Sequence, residues 1–104
     1  MAWVFIVFAG VLEIAWALGL KASDGFTRPL PTVFTLITAA LSFWLLAQAM
    51  RDLPAGTAYA VWSGIGAFGT VVLGIVFFQD SVSLGKMLCL MMIVAGIVGV
   101  KIFS

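Results

Sequence analysis

The residue with the most chemistry open to it is Glu13, a carboxylate inside the apolar stretch GVLEIAWALGLK that runs from Gly10 to Lys21. Nothing nearby in sequence can neutralise it. A charged side chain at bilayer depth costs at least about 2.5–3.5 kcal/mol, so a carboxylate retained there marks a functional site. On a 3.6-residue period Gly10, Glu13 and Ala17 share one face, with Trp16 one turn from the carboxylate. Gly10 permits close approach of another backbone or of a ligand. A second stretch carries Thr35, Thr38, Ser42 and Gln48. Hydroxyls in membrane helices usually bond back to their own backbone. Ser42 is the expected exception, because it lies nearest mid-membrane and can be level with Glu13. In a third stretch Tyr59, Trp62, Ser63, Gly66, Gly69 and Thr70 fall at spacings of three and four, a polar-aromatic face expected to turn inward. Gly64 and Gly66 in the same stretch suit either close packing or a bend, which makes them hinge candidates.

These residue types can act together. The Trp62 indole N–H and the Ser42 hydroxyl can each orient a carboxylate oxygen, and Tyr59 can donate, accept or present its ring face. The rings of Trp16, Tyr59 and Trp62 can each stabilise a cation by about 0.5–2 kcal/mol. Any one of them alone would simply fill a packed interior; around a membrane carboxylate they make a cation site. Burial disfavours the charged form of a carboxyl, so a proton and a bound cation become competing ways to neutralise Glu13.

The elements that must position these groups follow from composition. Of 104 residues 64% are hydrophobic and 9% charged, and the mean hydropathy is +1.28; soluble domains carry about a quarter charged residues. The reading is an all-α membrane protein, a single four-helix domain over residues 1–104 with spans near 2–20, 30–50, 55–78 and 84–103. The stops are a Lys21–Gly25 turn, Pro29 and Pro31 opening the second span, Arg51-Asp52-Leu53-Pro54, and Ser83 as an N-cap. The first span lacks a basic leader and carries Glu13, so it is expected to remain rather than be cleaved as a signal peptide. Scattered single charges, net +1, give no nucleic-acid surface and no polybasic lipid patch. One cysteine, Cys89, and no histidine leave no disulfide within the chain, no metal site and no histidine acid–base chemistry. No nucleophile–base pair or cofactor motif argues for an enzyme or a cofactor. In the last span Cys89 and Gly96 share a face two turns apart, a weak helix-association signal.

Basic residues near span ends number three on one side (Lys21, Arg28, Lys86) and two on the other (Arg51, Lys101). Orientation normally follows a clear Lys/Arg excess, so this chain is expected to insert both ways. Many transporters draw their two-state symmetry from inverted repeats within one chain. No internal repeat is present here, and two oppositely inserted copies would supply that symmetry, bringing two Glu13 carboxylates to one site.

The blocks GVLEIAWALGLKASDGFTRPLPT, LSFWLLAQAM and LPAGTAYAVWSGIGAFGT resemble the small multidrug resistance family of bacterial inner-membrane proton-coupled exporters, over the whole chain. Trp16, three residues after Glu13, and Lys101 resemble the guanidinium-exporting branch rather than the polyaromatic-cation branch. The resemblance implies an antiparallel, dual-topology homodimer exchanging protons for guanidinium. It makes Glu13 the central carboxylate, with Gly10, Trp16, Ser42, Tyr59 and Trp62 around it, and the last helix, with Gly96, a dimerisation helix. Cys89 departs from the glycine that drug-exporting relatives tend to have. A planar guanidinium with forked donors matches a carboxylate in geometry and charge. The alternatives are a broad exporter of quaternary-ammonium and aromatic cations, and a non-transporting membrane subunit with Glu13 paired to a partner's cation.

Overall fold

The computed structural model describes residues 1–103, and four α-helices account for most of them: α1 Ala2–Ala22, α2 Pro29–Ala49, α3 Ala55–Phe77 and α4 Leu84–Ile102. All four are long and apolar enough to cross a membrane, so the chain is a multi-pass membrane protein. The expected spans differ from these helices by no more than two residues at any end, each for a local reason. Helix α1 continues to Ala22 because Ser23 closes it: its N–H donates to the Gly19 carbonyl (2.8 Å) and its hydroxyl to the Leu20 carbonyl (2.7 Å). The same hydroxyl accepts from Phe26 N–H, holding a turn in which Asp24, Gly25 and Phe26 all have positive φ. Proline stands in the first turn of α2, where its missing N–H is no loss. Ser83 caps α4 by accepting from Lys86 N–H at 3.1 Å.

Helix α1 is the centre of the arrangement. It packs along both α2 and α3, α2 and α3 meet only briefly, and α4 rests on α3. The order across the molecule is therefore α2, α1, α3, α4, within an envelope of 41 × 34 × 16 Å. A helix with side chains is about 10–12 Å across, so this is a bowed layer rather than a closed four-helix bundle.

Packing is tightest at one end. Ile6 and Ala9 of α1, Leu46 and Ala49 of α2, and Ala58, Val61 and Trp62 of α3 form the buried cluster, next to the α2–α3 loop. Glycines set the helix separations. A Cβ at Gly10 would stand 2.7 Å from Ile65 Cγ2, one at Gly64 would stand 2.8 Å from Ile97 Cδ1, and one at Gly69 would run into Ile14. Small residues that let backbones close in are the usual device where lipid removes the hydrophobic drive for association. Lys101 at the end of α4 reaches back over the Trp3 ring, 4.7 Å from its centroid, and ties the outer helix to the start of α1.

Candidate functional site

Glu13 lies in α1 with its carboxylate against Gly66 of α3; a Cβ there would occupy the space of the carboxylate itself. Its Oε1 is sealed from solvent and, among the described residues, has no hydrogen-bond partner, and the same holds for the Nε1 of Trp16 one turn further on. One is an acceptor and the other a donor, and a buried polar atom left unpaired costs about 1–3 kcal/mol.

Ser42 of α2 is fully buried. Its hydroxyl donates to the Ala9 carbonyl at 2.7 Å and accepts from the Trp62 indole N–H at 2.9 Å. This differs from the expectation that both donors address the carboxylate: a backbone carbonyl and a hydroxyl lie closer, so the Ser42 and Trp62 donors are already engaged. Ala9 sits four residues before Glu13, so in α-helical register its carbonyl also receives the Glu13 backbone N–H. Ser42 therefore fastens α2 and α3 to the helical turn that carries the carboxylate. Thr35 and Thr38, by contrast, donate to the Pro31 (2.7 Å) and Phe34 (2.8 Å) carbonyls of their own helix, as expected.

An aromatic chain crosses the site. Trp16 of α1 meets Phe43 of α2 at 6.1 Å between centroids, Phe43 meets Trp62 of α3 at 5.5 Å, and Trp62 meets Tyr59 at 5.5 Å. All three contacts are tilted, the geometry favoured by ring quadrupoles. Sequence reasoning missed Phe43, which has no polar atom and no place in the polar periodicity; only its position beside Ser42 pointed to it. The polar-aromatic face of α3 turns inward only in part. Trp62 and Gly66 are buried and Ser63 half-buried, whereas Tyr59 is 57% exposed on the open side of the layer.

A family model described as Small Multidrug Resistance protein matches residues 1–93. The chain belongs to the small multidrug resistance family. It is 57% identical over 104 residues to a protein named guanidinium exporter from Yersinia pseudotuberculosis serotype I (strain IP32953), covering all of both chains. It is 49% identical over 104 residues to a guanidinium exporter of Proteus vulgaris, again covering both completely. To one of Salmonella typhimurium it is 48% identical over 102 residues, 98% of this chain and 97% of the other.

In this small multidrug resistance protein the remaining candidates are two glycines of α3 and two residues of α4, of which Gly66 alone meets the carboxylate. Gly64 and Gly66 fall inside one continuous helix, where they admit Ile97 and Glu13 respectively; close approach is the role their surroundings display. Cys89 and Gly96 are both exposed on α4, and an added Cβ at Gly96 would meet nothing within 4 Å.

Proposed function

We propose that this chain exports guanidinium and small guanidinyl cations in exchange for protons by alternating access, as an antiparallel pair of copies in a bacterial inner membrane. Glu13 takes either a proton or the cation. The observation that carries this reading is the Glu13 Oε1 atom, buried and unpaired beside an aromatic chain. Guanidinium brings N–H donors in one plane and no acceptor, so it pairs with that oxygen and lays its face on a ring. It has nothing to offer the Trp16 N–H, whose partner must be an acceptor such as a carboxylate oxygen. Trp16 is thereby suited to hold Glu13 in place beside a flat cation.

Two further supports come from the chain itself. Its basic residues give almost no orientation bias, which suits insertion both ways. A layer this thin makes no closed chamber for a cation, and a second, inverted copy would cover the face where Tyr59 is exposed. Two carboxylates in one chamber would titrate as a coupled pair. The relatives named guanidinium exporters support the choice of cation.

The test is proton-coupled guanidinium uptake in proteoliposomes. Glu13→Gln abolishes coupled transport while the protein stays folded; full coupled activity in that variant overturns the reading. Trp16→Gly shifts preference toward bulkier cations, and an unchanged profile across guanidinium, alkylguanidiniums and tetraalkylammoniums removes the assigned role of Trp16.

A further inference from the structure

The tight packing at one end of the molecule has a counterpart at the other, where an apolar groove of about 510 Å³ opens on the back of α1. Its floor is Ala15, Gly19 and Ala22, and its walls include Phe34 of α2 with Phe77 and Phe78 at the end of α3. Ala22 lies nine residues, two and a half turns, from Glu13, so the groove occupies the opposite face of α1 from the carboxylate. The small residues on α1 make it concave. Gly19 is pressed against Thr35 and Phe34 and cannot gain a side chain without parting α1 from α2.

Charge gathers at its mouth. Lys21 stands over the ring of Phe78, its Nζ 5.6 Å from the centroid, and Arg28 is the N-cap of α2, just before the groove-lining Leu30 and Pro31. Among the described residues neither cation has an ion-pair partner within 4.0 Å, and Asp24 and Asp80, exposed at the same end, pair with neither. Both cations sit at helix ends, the depth of lipid headgroups, where basic groups between helices suit anionic head groups.

We propose that this groove holds one acyl chain of an anionic phospholipid, with its phosphate on Lys21 and Arg28. This is a single-headgroup site rather than a polybasic patch, and it is independent of the transport reading. The aromatic walls grip the tail, and the cations select the head.

The test is native mass spectrometry of the purified full-length protein with phosphatidylglycerol and phosphatidylcholine of identical chains. Phosphatidylglycerol is retained at one per chain and about twenty-fivefold more tightly, about fivefold for each of the two cations near a surface. Lys21→Gln cuts the preference about fivefold, and Lys21→Gln with Arg28→Gln brings the two lipids level; Ala15→Phe, which fills the groove, weakens both; Arg51→Gln, at the opposite end, changes neither. Phosphatidylglycerol carrying a mid-chain diazirine labels the unmodified protein on the segments holding Phe34 and Phe77. Equal retention of the two lipids, an unaltered preference in Lys21→Gln, labelling confined to other segments, or dissociation of copies in Ala15→Phe overturns the proposal; the last would mean that a second chain covers the groove.

Discussion

Ser42 reaches from α2 to the Ala9 carbonyl and simultaneously receives the Trp62 indole, so one hydroxyl joins three helices under the carboxylate. Ser42→Ala leaves a buried indole N–H without a partner. The expected loss is about 1–2 kcal/mol, read by unfolding in detergent, with tryptophan emission shifted as Trp62 is freed. Thr38→Val, which removes a hydroxyl bonded only within its own helix, changes stability by less than about 0.5 kcal/mol in the same measurement. Gly66→Ala drives a methyl into the place of the Glu13 carboxylate. Guanidinium affinity by calorimetry falls about ten- to hundredfold, as expected where a hydrogen bond to a charged group worth about 1.5–3 kcal/mol is lost. At this scale the sequence was legible where a residue announces its own cost: Glu13 is anomalous in apolar surroundings, and Ser42 stood out by its depth. The partner that each donor chose was not legible. Whether Trp62 meets a carboxylate or a hydroxyl depends on helix rotation of a few tens of degrees, which periodicity does not fix.

At the scale of elements, the helices are set by strong local signals, Pro at the start of α2, Ser83 before α4, and uninterrupted apolar runs, and these read directly from sequence. Neighbour relations do not. Nothing in the chain marks α1 as the helix flanked on both sides, because all four are predominantly apolar and lack the polar outer face that aims a helix in a soluble protein. The glycine notches are what aim them. Gly64→Leu meets Ile97 and loosens α4 from α3; cysteine pairs placed across that contact lose crosslinking efficiency, while the Ser42–Trp62 junction stays intact.

For the whole molecule, a thickness of 16 Å decides most. A single chain walls the Glu13 carboxylate with Gly66 of α3 and leaves Tyr59 exposed; in the proposed pair of copies, titratable chemistry and assembly are linked. In the proposed exchange guanidinium binding requires Glu13 ionised, with the proton as its competitor. Apparent Kd therefore rises as pH falls through the titration of the site, by up to about tenfold per pH unit for one proton, and is flat at high pH. Isothermal titrations over a series of pH values check the sign; an affinity that improves on acidification contradicts it.

The peripheral place of α4 has a consequence in time. It packs along α3 and meets α1 only near Trp3, under Lys101, so every contact among Ala9, Glu13, Ser42, Trp62 and Gly66 lies within the part of the chain made before α4. At about 5–20 residues per second the final helix follows on the order of seconds later. In order of synthesis the partners of the charged centre come first and the outermost helix last.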